Sequence, residues 1–145
     1  MQVDIQVLDK HFYLKRLFLK TFCRRVVRNA WYGAEDAVIS VVLANNDFVH
    51  QLNKEYRGKD SPTNVLSFEN ELPLAGDIIV AYGVTQDEAK AQGKTFSAHL
   101  AHLLTHGTLH LQGYDHLTEK QARKMEKLET KLMVQLGYAD PYKGV

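Results

Sequence analysis

The stretch Ala37-Val-Ile-Ser-Val-Val-Leu-Ala44 is the longest apolar run in the chain and decides the class of fold. It is rich in β-branched residues and far shorter than the ~20 residues needed to cross a bilayer, so it predicts a buried strand and not a membrane span. Asn45-Asn46-Asp47 follows directly and offers N-cap chemistry for a helix carrying Phe48, Leu52 and Tyr56. A buried strand therefore leads into an amphipathic helix.

The sequence on either side extends this alternation of strands and helices. Period-two alternation or short apolar runs predict three further strands, and apolar residues at helical spacing predict four further helices. The predicted strands are 2–8, 65–69 and 77–81, and the predicted helices are 13–29, 85–92, one capped by Thr95 or Ser97 and running to Gln112, and 118–136. The order β-α-β-α-β-β-α-α-α predicts an α+β fold, a small mixed β-sheet covered by helices.

Length and composition predict one compact domain over residues 1–145, because 145 residues with 45% hydrophobic side chains leave little room for a second. The 18 basic residues nearly balance the 17 acidic ones, so any basic binding surface must be local. Cys23 is the only cysteine, which excludes an intrachain disulfide and a cysteine-based zinc site. With no secretory signal recognisable at Met1-Gln-Val-Asp-Ile, we expect a cytoplasmic location and no membrane association.

Histidine clustering is the main clue to chemistry, since five of the seven histidines lie between residues 99 and 116. His106 and His110 stand one helical turn apart, and Gly113 lets the chain turn so that His116 supplies a third nitrogen. Three protein ligands leave a fourth position for water, the pattern of catalytic zinc. The sequence therefore predicts one Zn²⁺ per chain, held on the long helix of the C-terminal half and the following turn. Solvated or hydrogen-bonded histidines are the alternative. His99 and His102 could orient the ligands through hydrogen bonds, but for these two residues packing or surface roles are favoured over metal binding.

The histidine spacing also matches H-E-x-x-H-x-x-G-x-x-H, the pattern of the metzincin zinc proteases. Gly107 stands where that pattern has the glutamate that serves as general base. Peptide hydrolysis by metzincin chemistry is therefore disfavoured, whereas the metal-binding geometry is unaffected.

A second polar cluster runs through a turn into the strand at 65–69 and includes Arg57, Lys59, Asn64 and Ser67. Together with the histidines it resembles the YbeY family of bacterial metal-dependent endoribonucleases. The resemblance rests on Tyr56-Arg-Gly-Lys-Asp-Ser-Pro-Thr-Asn-Val-Leu-Ser-Phe68, Gly76-Asp-Ile78 and His106–His116, and it continues to Tyr142. The chain departs from the family at Glu69, where many members have proline, and in a short segment before Gly76.

This resemblance implies an activity, a cofactor and partners. It implies that His106, His110 and His116 bind zinc and that Arg57 is needed for RNA cleavage. It further implies action on single-stranded RNA, ribosomal RNA processing at the 3′ end of the small-subunit RNA, and ribosome quality control. Ribosomal RNA, the ribosome and ribosome-associated proteins are the implied partners.

The chemistry of phosphodiester cleavage suggests further roles for charged residues. Negative charge gathers on the phosphate oxygens in the transition state, and the planar guanidinium of Arg57 can donate two hydrogen bonds to them. Asp115 and Asp77 are candidates for an orienting carboxylate or the general base, and the ribose 2′-hydroxyl is an alternative nucleophile to water. The RNA-binding candidates are Lys59, Lys20, Arg24 and Arg28, with a solvated helix face as an equally favoured role for the last three.

Two other functions remain compatible with the sequence. One is a metallohydrolase acting on peptides or small molecules, which the metzincin-like spacing favours and Gly107 disfavours. The other is a ribosome-assembly factor that binds RNA and holds its metal for structure alone.

Overall fold

The computed structural model describes residues 1–13 and 16–143, so residues 14 and 15 of the predicted first helix lie outside the described part of the chain. A short 3₁₀ helix, Lys10–Tyr13, precedes the first α-helix. The strands are β1 (Gln2–Val7), β2 (Val38–Ala44), β3 (Val65–Glu69) and β4 (Leu74–Ala81). The helices are α1 (Arg16–Ala30), α2 (Asn46–Arg57), α3 (Tyr82–Ala91), α4 (Phe96–His110) and α5 (Glu119–Gln135).

The four strands form one mixed sheet in the order β1-β2-β4-β3. β1 and β4 pair in parallel with β2, and β3 pairs antiparallel with β4 at the edge. Parallel strands need a crossover connection, and α1 supplies it between β1 and β2. The predicted α+β fold, a small mixed sheet covered by helices, is confirmed.

Helices cover both faces of this sheet. Alternate side chains of β1, β2 and β4, such as Ile5, Val41 and Ile78, form the larger core with residues of α1 and α4. The intervening side chains, such as Ile79, form a smaller core with Val49 of α2. α4 and α2 therefore pack on opposite faces of the sheet.

Element boundaries follow the capping residues. The Asn45 side chain accepts a hydrogen bond from the Phe48 N–H at 2.8 Å, and Thr95, not Ser97, caps α4. α4 ends at His110, two residues before the predicted end, because the chain turns toward Gly113 at φ +91°. β4 begins at Leu74 instead of the predicted Asp77, since it pairs with strands on both sides.

Among the described residues, no helix has the length and apolar character to span a membrane.

Candidate metal centre and nuclease site

Three histidines converge at the C-terminal end of α4. His106 and His110 lie one turn apart with their Nε2 atoms at 3.0 Å, and the turn through Gly113 brings His116 back toward them. The ring centroid of His116 is 5.6 Å from that of His106 and 5.2 Å from that of His110. One nitrogen from each ring lies within 4.8 Å of the others, as predicted from the spacing.

This donor set fits a divalent transition metal ion. Imidazole nitrogens suit zinc, copper, iron and nickel, and each must be unprotonated to bind. Burial lowers the pKa of His110, and the neighbouring His106 and His116 lower it further, so the neutral, metal-binding form is favoured. The three residues can hold such an ion while one side of the group faces a cavity.

The buried carboxylate of Glu129, on α5, fixes the orientation of His106. Its Oε1 accepts a hydrogen bond from His106 Nδ1 at 2.8 Å, which leaves Nε2 of that ring free to bind a metal. Its Oε2 is hydrogen-bonded to His102 Nε2 and accepts a hydrogen bond from the Tyr142 hydroxyl. Burial alone would raise the pKa of Glu129, but the bonds from His102, His106 and Tyr142 outweigh it and lower the pKa to about 2.

Glu129 is a site residue that the sequence reasoning missed. A signal was available, because Glu129 follows Met125 by four residues and precedes Met133 by four, which places an acid on the apolar face of α5. With 1% of its surface exposed, it needs hydrogen-bonding partners. His102 is one of them, and so has an orienting role beyond packing.

A cavity of about 450 Å³ brings Arg57 together with the three histidines. Arg57 is the last residue of α2, and Gly58 follows it in the left-handed conformation at φ +68°, which turns the chain toward β3. Asn64, Ser67 and Glu69 also line this cavity. A cation and a metal-binding group therefore face one solvent-accessible cavity.

The predicted carboxylates occupy different places. Asp115 lines the cavity, and its Oδ1 accepts a hydrogen bond from the His116 backbone N–H at 2.8 Å. Asp77 lies outside the cavity wall, where its Oδ2 accepts a hydrogen bond from Asn70 Nδ2 at 3.3 Å. Glu69, which the sequence reasoning treated only as a departure from a family pattern, is a second carboxylate in the wall.

Comparison with known proteins identifies the family. The sequence model described as Endoribonuclease YbeY matches residues 4–137. The chain belongs to the YbeY endoribonuclease family. Among solved structures, it is similar to the solution structure of TM1509 from Thermotoga maritima, with 27% identity, 99% of this chain and 100% of that chain covered, and a TM-score of 0.58. Family membership supports a nuclease, specifically an endoribonuclease that processes ribosomal RNA.

Packing explains why this YbeY-family chain has glycine at position 107. A Cβ there would lie 2.9 Å from Ile78 Cγ2 and 2.9 Å from Ser67 Oγ, both on the adjoining strands. The glutamate of the metzincin pattern would therefore collide with the sheet. Both the absence of the glutamate and the lack of space for it therefore disfavour metzincin chemistry.

Three arginines of α1 line a separate cleft of about 730 Å³. Arg24 and Arg28 line it beside Arg25, which the sequence reasoning did not single out, and residues at the end of α5 form the other side. Arg24 also donates a hydrogen bond from Nε to the Val3 carbonyl at 3.1 Å. Lys20 and Lys59 line neither this cleft nor the histidine cavity.

Proposed function

We propose that this chain is a zinc-dependent endoribonuclease that hydrolyses phosphodiester bonds in single-stranded RNA, with residues 1–145 acting as one catalytic domain. The observation that carries the proposal is the cavity in which Arg57 faces His106, His110 and His116. A metal-binding group and a guanidinium on one cavity suit a reaction that develops charge on phosphate oxygens. Zinc is the proposed ion because three imidazoles with an open position are typical of catalytic zinc sites.

In the proposed mechanism His106, His110 and His116 hold the zinc, which when bound supplies a Lewis acid and lowers the pKa of coordinated water. Arg57 donates two hydrogen bonds to the non-bridging phosphate oxygens and stabilises their growing charge. Glu129 keeps His106 in the tautomer that presents Nε2.

We propose Asp115 or Glu69, which both line the cavity, as the group that receives a proton from the attacking group. The nucleophile is either water or the ribose 2′-hydroxyl. A 2′,3′-cyclic phosphate on the product identifies attack by the 2′-hydroxyl, whereas direct hydrolysis by water forms none.

The biological substrate that we propose is ribosomal RNA, with maturation of the small-subunit 3′ end and ribosome quality control as the processes. The support for this proposal is the chain's membership of the YbeY family. The ribosome and ribosome-associated proteins are accordingly the proposed partners, and the cytoplasm is the proposed location. Lys59, Lys20, Arg24 and Arg28 are proposed to contact the RNA backbone outside the cavity.

The test is cleavage of a ribosomal RNA precursor fragment by protein of measured metal content. Activity is expected to follow metal occupancy and to be lost in His110→Ala, because a ligand is missing, and in Arg57→Ala, because the phosphate is no longer clamped. Removing one such charge stabiliser typically lowers the rate by about 10²–10³-fold. Arg123→Ala, at an exposed position of α5, is the matched control and should retain activity.

Equal cleavage by all these proteins would contradict the proposal, because a contaminating ribonuclease would then be the source. RNA binding without metal-dependent turnover would favour the assembly-factor function instead. If Arg57→Ala protein binds a full complement of zinc and cleaves RNA at the wild-type rate, Arg57 has no role in catalysis. The proposed metal centre would not be affected by that result.

A further inference from the structure

A second cavity of about 450 Å³ adjoins the candidate metal centre. It shares Asn64, Val65 and His106 with the histidine cavity, so the two are neighbours on either side of these residues. We call it the side cavity. Its walls include Glu88 of α3, His99 of α4 and the ring of Tyr142.

One carboxylate in the side cavity is held in a fixed orientation. Glu88 Oε1 accepts hydrogen bonds from Asn64 Nδ2 at 3.0 Å and from His99 Nε2 at 2.9 Å. The orientation of the Asn64 amide is itself set, because its Oδ1 accepts the Val65 backbone N–H at 2.7 Å. His99 is almost wholly buried, with 4% of its side chain exposed. Two independent donors therefore hold the same oxygen.

The other oxygen of this carboxylate is available to a ligand. An ionised carboxylate has about four acceptor positions, and Oε1 already uses two. Within the described part of the chain, Glu88 Oε2 has no hydrogen-bond partner, and the side chain is 35% exposed. The side cavity thus presents a rigid hydrogen-bond acceptor.

Glu88 and Lys94 are oppositely charged side chains in the wall of the side cavity, so the open acceptor Glu88 Oε2, and not a net charge, is the feature that selects a hydrogen-bond donor. Burial lowers the pKa of His99, so its ring is neutral near pH 7 and does not cancel the charge of Glu88. Lys94 is the cation in the wall, and its Nζ donates a hydrogen bond to the Pro141 carbonyl at 2.6 Å. Val65, Leu103 and the Tyr142 ring add apolar surface suited to a flat heterocycle.

We propose, on the basis of the proposed ribonuclease function, that the side cavity binds the base of an RNA nucleotide next to the scissile phosphate. Glu88 Oε2 accepts a hydrogen bond from an exocyclic amino group of that base. Cytosine has such a group where uracil has a carbonyl oxygen, which the carboxylate repels. The side cavity therefore discriminates between these two pyrimidines.

Binding of CMP and UMP to the purified metal-bearing protein tests this proposal without requiring turnover. The two nucleotides differ in base only at the amino or carbonyl group and the adjoining ring nitrogen, so phosphate contacts cancel in the comparison. One hydrogen bond to a charged group corresponds to a preference for CMP of roughly tenfold or more, measured by calorimetric or fluorescence titration.

Glu88→Gln provides the decisive variant. Asn64 and His99 both donate, so they hold the amide oxygen in place of Oε1 and leave the NH₂ group in place of Oε2. The open acceptor becomes an open donor, and the preference should reverse in favour of UMP. Asp87→Asn makes the same charge change at the neighbouring residue and should keep the preference for CMP.

Equal affinity of the wild-type protein for CMP and UMP, or an unchanged preference in Glu88→Gln, would overturn the proposal. Cleavage of oligoribonucleotides with C or U at each flanking position separates it from the proposed function. Metal-dependent cleavage with no C-over-U preference at either position overturns the base site alone. The opposite result is also informative. If the wild-type protein shows no metal-dependent cleavage but prefers CMP, and this preference reverses in Glu88→Gln, the base site is supported and the nuclease function is contradicted.

Discussion

Glu129 shows at the scale of one residue how the candidate metal centre is positioned. Its carboxylate receives hydrogen bonds on both oxygens, and one of the donors is the proposed ligand His106. Glutamine has a single acceptor oxygen and no charge, so an amide at position 129 can accept from only one of the two sides that the carboxylate serves. Even with its oxygen on His106, the neutral amide would no longer raise the basicity of that ring as a carboxylate does.

We therefore expect Glu129→Gln to bind metal about 10- to 100-fold more weakly than the wild-type protein, as found for partners of metal-bound histidines. Competition with a chromophoric chelator measures the affinity, and circular dichroism checks that the variant is folded. Glu126→Gln, at an exposed position of the same helix, is the matched control. Indistinguishable affinities of the two variants would show that Glu129 does not orient His106.

At the scale of elements, the contact between α4 and the sheet holds the metal-binding end of the helix over β3 and β4. Gly107 allows this approach, because a Cβ would meet Ile78 and Ser67 at 2.9 Å. Alanine usually stabilises a helix interior relative to glycine by about 1 kcal/mol, so steric overlap and helix propensity oppose each other at this position.

We expect overlap to dominate, since both strands are fixed by the sheet ladder. Gly107→Ala should lower the free energy of unfolding by about 1–3 kcal/mol, the usual cost of overpacking a core. Urea denaturation measures the change, and Ser97→Ala, on the exposed first turn of α4, controls for propensity. A variant as stable as the wild-type protein would mean that helix and sheet separate without cost.

At the scale of the whole molecule, the nearly neutral net charge makes RNA affinity depend on local basic groups. Arg24 and Arg28 line the cleft between α1 and α5, which is separate from the histidine cavity. A single strand that occupies both would place phosphates beside these arginines. Each phosphate that a basic side chain neutralises adds to the salt dependence of binding through release of counterions.

Replacing Lys20, Arg24 and Arg28 together by Gln should therefore weaken binding and flatten its salt dependence. The slope of log K against log salt concentration should become shallower by about 0.7 for each phosphate of a single strand that is no longer neutralised. Fluorescence anisotropy with a labelled ribosomal RNA fragment measures the slope. The control is a second triple variant that removes the same amount of charge from α5, with Lys120, Lys127 and Lys131 changed to Gln. Equal slopes for the two triple variants would exclude a specific role for the α1 residues.

Local patterns predicted the fold and the histidine group well, because both depend on short-range spacing. The β-branched run at 38–44, the cap at Asn45 and the 4-residue and 6-residue spacings of His106, His110 and His116 each encode local geometry. Pairings between distant segments were not accessible in this way. Glu129 approaches His106 only because α5 packs on α4, and Asp77 lies outside the cavity because strand alternation places Ile78, its neighbour, toward α4.

The hydroxyl of Tyr142 links the far end of the described chain to the candidate metal centre. Tyr142 bonds to Glu129, which bonds to His106, while Asp140 accepts a hydrogen bond from Thr130 on α5. Metal binding at His106 and docking of Tyr142 both favour the same position of the Glu129 carboxylate, so each is expected to strengthen the other by the same factor. We therefore expect proteases to cleave residues 138–143 more slowly when the three histidines hold a metal than when they do not.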